Sequence, residues 1–150
     1  MKKAWRSLER CRSEGPYHGG GVLFFRKRSD GRRSIILFRR VRGRGAGLFS
    51  IPGGGMEPDD GGDFRSCAIR ETWEETGVKV ETADIRRTLR ISLPCFRWHT
   101  LLVEFKGSLS DFRCQPYELT EPREVTLRQA WHLPLTDSMR ITLVWLWFRL

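Results

Sequence analysis

Apolar residues recur along this chain in two rhythms, separated by glycine-rich and charged breaks. Val22-Leu23-Phe24-Phe25 and Ser34-Ile35-Ile36-Leu37-Phe38 are short continuous apolar runs, the pattern of buried strands. The polar stretch between them carries Asp30-Gly31, a turn signal, so the pair predicts a hairpin. Gly19–Gly21 read as a flexible lead into the first strand. Leu48-Phe49-Ser50-Ile51-Pro52 precedes the glycines Gly53-Gly54-Gly55. Phe64–Thr76 predicts a helix, with Asp63 as N-cap and Gly77 as the residue after its end. On that helix Phe64, Ala68 and Thr72 form one stripe, with Ile69 and Trp73 beside it. The stripe predicts the buried side, and Trp73 belongs to the core.

Beyond the helix, Val78–Val80 and Ile85–Ile91 predict strands joined by a polar turn at Glu81–Asp84. Ser92-Leu93-Pro94 breaks the pattern, and Trp98–Phe105 predicts a strand of the central sheet, with His99 a satisfied strand histidine. Gly107–Pro122 reads as loop and Val125–Trp131 as a further strand. Thr136-Asp137 caps a last helix, Ser138–Leu150, which is apolar nearly all round and therefore buried or paired with another subunit. A basic arm over residues 1–16, with Trp5 and Leu8 at helical spacing, precedes one domain over residues 17–150. No apolar run reaches membrane-spanning length.

Three glutamates decide what chemistry to look for. Glu71, Glu74 and Glu75 stand at i, i+3 and i+4 and share one helix face. Carboxylates packed this way repel unless water screens them or a divalent cation sits between them. Hard cations such as Mg²⁺ take oxygen ligands and bridge carboxylates to substrate phosphates. The stretch Arg70-Glu71-Thr72-Trp73-Glu74-Glu75-Thr76-Gly77-Val78, behind its glycine loop, resembles the Nudix box. That box is a glycine, five residues, a glutamate, seven residues, then Arg-Glu-apolar-any-Glu-Glu-any-Gly-apolar. The second half matches closely. In the first half Asp60 stands where the box has glutamate, nine residues rather than seven lead to Arg70, and Thr72 replaces an apolar residue. The difference reads as a two-residue insertion in the Asp59–Asp63 loop.

The resemblance implies an α+β fold, the Nudix α/β/α sandwich with a mixed central sheet. It implies hydrolysis of a nucleoside diphosphate linked to another group, supported by Mg²⁺ or Mn²⁺ that neutralises phosphate charge and activates water. Glu71, Glu74, Glu75 and the carbonyl of Gly53 match the family's metal ligands. Arg70 is expected to orient the carboxylates. The general base is Glu71 in some members and a later loop glutamate in others, for which Glu118, Glu121 and Glu124 are candidates. Arg39, Arg40, Arg42 and Arg44 lead toward the acidic face and suit phosphate oxygens, and Phe49 occupies a place often held by an aromatic. Phe96 and Trp98 could stack a base or serve as core.

The absence of an extra N-terminal sheet favours (d)NTP pyrophosphohydrolase action, with ADP-ribose or dinucleotide polyphosphates next, Pro94 having the spacing of ADP-ribose-type members. The net charge of +9 attracts polyanions generally and leaves open an RNA 5′-end hydrolase or an RNA-binding module. No RNP motif or zinc spacing supports sequence-specific reading of RNA. The apolar last helix suggests a homodimer. Four cysteines without CxxC pairing, and no signal-peptide pattern, suggest reduced thiols in the cytoplasm.

Overall fold

The computed structural model of the chain describes residues 11–149. Trp5 and Leu8 of the basic arm, and Leu150, lie outside the described residues. Seven strands form one mixed sheet: β1 (Tyr17–Lys27), β2 (Arg33–Arg39), β3 (Phe49–Ser50), β4 (Gly53–Gly55), β5 (Ile85–Leu93), β6 (Phe96–Glu104) and β7 (Arg123–Thr126). The order is β3-β2-β1-β6-β5, with β4 pairing β1 and β7 pairing β2. The predicted hairpin is β1–β2, antiparallel, with Phe24 opposite Ile36. β6 runs parallel to β1, with Gly20 opposite His99, so the mixed sheet anticipated from the sequence is present.

Side chains alternate across the strands and build two cores. Val22, Phe24, Ile36, Phe38, Leu101 and Val103 face one way, where α1 (Phe64–Thr76) covers them through Ala68. Leu23, Phe25, Ile35, Leu37 and Leu102 face the other way, where α3 (Asp137–Arg149) covers them through Met139, Leu143 and Leu146. A short helix α2 (Leu127–Ala130) follows β7. Helices on both faces of a mixed sheet make an α/β/α sandwich.

Four expectations need correcting. Gly19–Gly21 are no lead-in but interior strand, paired on both sides by β4 and β6. Glycine is required there by close approach: a Cβ on Gly20 would lie 2.8 Å from the Phe64 carbonyl oxygen. Trp73 is not core but 54% exposed; Ala68 and Thr72 of the expected stripe are buried, and Glu75 joins them in place of the tryptophan. Val78–Val80 carries no strand; Val80 is buried from a loop. Val125–Trp131 ends as a strand at Thr126, because the Thr126 side chain accepts from the Gln129 N–H and Gln129 reaches back to Thr126. That reciprocal cap starts α2.

The last helix is apolar all round, as read, yet only one stripe is covered. Met139, Thr142, Leu143 and Leu146 are buried, while Ile141, Val144, Trp147 and Phe148 are among the exposed large side chains. No helix of the described residues is long and apolar enough to cross a membrane.

Candidate active site

The site is built where β4 passes beneath α1. Asp63 caps α1 by accepting from the Arg65 and Ser66 N–H groups, and Gly77 ends the helix in the left-handed conformation. Fixing both ends fixes which residues point at the sheet. Glu71 and Glu75, one turn apart, lie over the glycines of β4. The Glu75 carboxylate accepts from the Gly53 N–H at 2.8 Å. The Glu71 carboxylate lies directly over Gly54, so that a Cβ at position 54 would overlap it. Gly53 is equally constrained, since a Cβ there would overlap the backbone of Gly20 and Gly21. Gly53 and Gly54 thus let strand backbone and a helix carboxylate approach closely.

Arg70 is fully engaged. Its Nε and Nη2 fork onto Asp60 at 3.0 and 2.9 Å, and Nη2 also donates to the Gly55 carbonyl at 3.0 Å. Its Nη1 donates to Glu71 at 3.0 Å and Glu74 at 3.2 Å. The guanidinium therefore holds the loop against the helix and aims Glu71. Asp60, buried, does this from a 3-10 turn over Pro58–Asp60, where it also accepts from the Glu57 N–H at 2.8 Å. The neighbouring Arg70 hydrogen bond keeps the Asp60 carboxyl below the usual range.

Electrostatics differ among the glutamates. Burial pushes the Glu75 carboxyl up to about 7, with the charges of Glu71 and Glu118 adding and the Gly53 N–H and Arg40 opposing. Burial likewise raises Glu71, against the pull of Arg70. Glu74 is half exposed and salt-bridged to Arg70. Among the described residues no group of three His, Cys, Asp or Glu side chains is gathered closely enough to hold an ion by itself. One buried carboxylate, Glu75, and one half-buried, Glu71, are nevertheless the donor set Mg²⁺ uses, since it completes its shell with water and substrate phosphate. The residues present fit such an ion, with Glu71 and Glu75 as its carboxylates.

A pocket of about 690 Å³ opens beside Gly53 and Gly54 and is lined by Tyr17, Arg40, Arg44, Phe96, Trp98 and Asp137 among others. Tyr17 stacks on Phe96 (5.8 Å between ring centroids, 8° between planes), and Phe96 stacks on Trp98 (6.0 Å, 5°). The Arg40 Nε is buried without a hydrogen-bond partner among the described residues. A larger cleft, about 900 Å³, is lined by Arg39, Phe49, Arg113, Cys114, Glu121 and Arg123; the box glutamates line neither cavity, but the first one reaches Gly53 and Gly54 beneath them.

The arginine group therefore divides. Arg40 and Arg44 reach the pocket beside the box, Arg39 lines the other cleft, and Arg42 is paired with Glu118. Phe49 is buried in the core with Arg123 over its ring. Of the loop glutamates, Glu118 is felt electrostatically at Glu75, and Glu121 is exposed in the larger cleft. Glu124 is held by Arg26 and Ser34, at the opposite end of the sheet from Gly53. Arg26 stands five residues beyond Gly21 on β1, roughly 17 Å along the strand. Sequence reasoning missed Tyr17, and it did not single out Arg40 from its neighbours. The period-2 alternation continues from Ile36 and Phe38 to Arg40, which was the available signal for the latter.

The NUDIX domain model matches residues 18–146. The chain belongs to the Nudix family, and it is a Nudix-type pyrophosphohydrolase. Among solved structures it resembles the Nudix hydrolase RenU from M. smegmatis, with 18% identity, 87% of this chain and 83% of that one covered, and TM-score 0.67. It also resembles the NUDIX domain of Shewanella oneidensis NrtR solved with ADP ribose (14% identity, 89% and 88%, TM-score 0.65). A MutT/nudix family protein from Enterococcus faecalis is similar over 74% of this chain (16% identity, TM-score 0.62), and the match spans 44% of that protein's length. At these identities the likeness concerns the fold.

The seat of Glu71 yields a direct expectation. Gly54→Ala displaces the Glu71 carboxylate while leaving the core untouched, so kcat should fall at least tenfold, about 1.4 kcal/mol or more of barrier. Thermal melting within a few degrees of wild type, measured alongside, separates this from unfolding. A fully active Gly54→Ala protein would mean that Glu71 works from another position.

Proposed function

We propose that the chain hydrolyses nucleoside triphosphates at a pyrophosphate linkage, with residues 17–150 acting as one domain. The observation that carries this reading is a pocket lined by Arg40, Arg44 and the stacked aromatics Tyr17, Phe96 and Trp98, which reaches Gly53 and Gly54, the glycines that Glu75 and Glu71 lie over. A nucleotide has this polarity: phosphates toward Arg40, Arg44 and the box, base toward Tyr17, Phe96 and Trp98. Mg²⁺ or Mn²⁺ held by Glu71 and Glu75, with Glu74 or the Gly53 carbonyl as further donors, would neutralise phosphate charge and activate the attacking water. Arg70 positions Glu71 and, being saturated by protein acceptors, does not bind substrate. Glu71 or Glu118 serves as general base in preference to Glu121 and Glu124. A cytoplasmic setting, where the substrate is found, follows from this reading.

ADP-ribose and dinucleotide polyphosphates share the linkage and are the next substrates to test, ADP ribose being the ligand solved with the NrtR domain. An RNA 5′ end is the second reading. It is favoured by the +9 net charge and by the cleft carrying Arg39, Arg113 and Arg123, which could track a phosphate backbone. Self-association through the exposed stripe of α3 would show as a doubled mass in light scattering across a concentration series.

The test is release of phosphate or pyrophosphate from a panel of (d)NTPs, ADP-ribose, dinucleotide polyphosphates and 5′-triphosphorylated RNA, with Mg²⁺, Mn²⁺ or chelator. A (d)NTP should be the preferred member, and chelator should abolish turnover. Preference for RNA, with affinity falling steeply as salt rises, moves the reading to the second class. No turnover on any member removes both.

A further inference from the structure

The described residues hold one covalent link that nothing in the hydrolytic site uses. Cys11 and Cys95 are disulfide-bonded across 84 residues of sequence, with Cα atoms 5.4 Å apart. This corrects the expectation of four reduced thiols, which rested on the lack of a local cysteine motif. Nothing local could have shown it, because the partners meet only once β1 and β6 have paired.

We propose that Cys11–Cys95 is a thiol–disulfide exchange site that controls the order of the pocket's aromatic wall, and so the affinity for nucleotide; this rests on the pocket's reading as the nucleotide site. The geometry points there because Cys95 sits in the turn between β5 and β6, one residue before Phe96. The Tyr17 N–H donates to the Cys95 carbonyl at 3.0 Å. Tyr17 pairs with Phe96 as the first rung of the parallel β1–β6 ladder. The disulfide thus closes the ladder at the end where Tyr17, Phe96 and Trp98 stack. Ladder ends and exposed turns open at the lowest free-energy cost in a fold. A cross-link between distant residues removes open states that the uncross-linked chain would populate.

The chemistry is selective. Cys11 and Cys95 are both partly exposed, so an incoming thiolate can reach the bond. Cys67 is buried, and burial pushes the thiols of Cys67 and Cys114 up to about 11, so both stay protonated and compete poorly near neutral pH. A dithiol reductant supplies the electrons. One of its thiolates attacks a protein sulfur, the S–S bond breaks to a mixed disulfide, and its second thiol resolves that intermediate. Two electrons and two protons pass to the protein, leaving Cys11 and Cys95 as thiols and the reductant as a disulfide. Disulfides in reducing compartments are usually of this transient, sensing kind.

Two measurements on the full-length protein test the proposal. Thiol titration in denaturant should find two free thiols in the oxidised protein and four after dithiothreitol. Amide hydrogen exchange should then rise at least about tenfold over residues 12–20 and 92–99 on reduction, with α1 unchanged. KM for the preferred nucleotide should rise at least about threefold on reduction, with kcat unchanged. Cys11→Ser should match the reduced protein and ignore dithiothreitol, whereas Cys114→Ser should respond as wild type does. Four thiols before reduction overturn the bond, and unchanged exchange overturns the control of the wall. Faster exchange with unchanged KM overturns the control of affinity. If no nucleotide is turned over at all, the hydrolase reading fails, while hydrogen exchange still decides whether the disulfide orders the wall.

Discussion

Replacing Glu75 by Gln should lower hydrolysis at least about a hundredfold, nearly 3 kcal/mol of barrier, while making the metal-free protein more stable above neutral pH. The two effects share one cause. Glu75 is buried beneath the helix, with the Gly53 N–H as its hydrogen-bond donor. Burial, reinforced by Glu71, raises its carboxyl from 4.5 to about 7. Below about pH 4.5 the group is protonated folded or unfolded and contributes nothing to the difference. Between pH 4.5 and 7 the unfolded chain ionises freely while the folded one resists, so stability falls, and above 7 the penalty is constant. At about 1.4 kcal/mol per unit the penalty is of the order of 1–3 kcal/mol after allowance for relaxation. Gln keeps an oxygen for the Gly53 N–H and carries no charge. Urea unfolding in chelator should therefore show Glu75→Gln more stable than wild type at pH 8 and equal to it at pH 4. Added Mg²⁺ should raise the wild-type midpoint and leave the variant unmoved. A variant less stable than wild type at pH 8 would refute the account of the buried charge, and one with near-wild-type turnover would remove Glu75 from the site.

How much of this was legible beforehand depends on the range of the interaction. The ends of α1 were readable because caps are local: Asp63 and Gly77 stand where the sequence placed them. The hairpin was readable from two apolar runs and Asp30-Gly31, and the two-faced core from continuous apolar strands. The inward face of α1 was read correctly at Ala68 and Thr72 and misread at Trp73, because a large aromatic outranks two glutamates on any apolarity scale. Gly54 reverses that ranking by making room for the Glu71 carboxylate, the Gly53 N–H meets Glu75, and Trp73 is left outside. Gly19–Gly21 looked flexible because glycine signals both freedom and close approach, and only the helix above them decides which. The Thr126–Gln129 cap was present in the sequence but hidden by a β-branched start. Tyr17 and Cys11–Cys95 acquire their places through contacts with β4, β6 and the β5–β6 turn, which no local pattern encodes.

Arg70→Met should destabilise the protein by about 3 kcal/mol and also cut turnover more than tenfold, because one guanidinium serves both fold and site. The Asp60 side chain is 3% exposed, and its main counter-charge is the Arg70 fork. Removing the fork strands a buried carboxylate, and it also releases the Gly55 carbonyl and leaves Glu71 unaimed. The aspartate that stands where the box has glutamate is thus the anchor of the arginine, delivered by the Pro58–Asp60 turn. In wild type the pair holds the Asp60 carboxyl low. Its contribution is therefore full above the ordinary aspartate range and is lost as pH falls through the lowered folded-state value. In Arg70→Met that acid-labile contribution should vanish. Asp60→Asn alone should cost less, since Arg70 keeps Glu71 and Glu74 and remains partly solvated. Adding Asp60→Asn to Arg70→Met should recover part of the loss by neutralising the stranded group. A double-mutant cycle read by urea unfolding should give a coupling of about 1–3 kcal/mol between the two positions. Additivity within about 0.5 kcal/mol would show that Asp60 and Arg70 act independently. Turnover in the double variant discriminates further: stability regained without activity means that the aim of Glu71, rather than the integrity of the loop, is what the arginine contributes to hydrolysis.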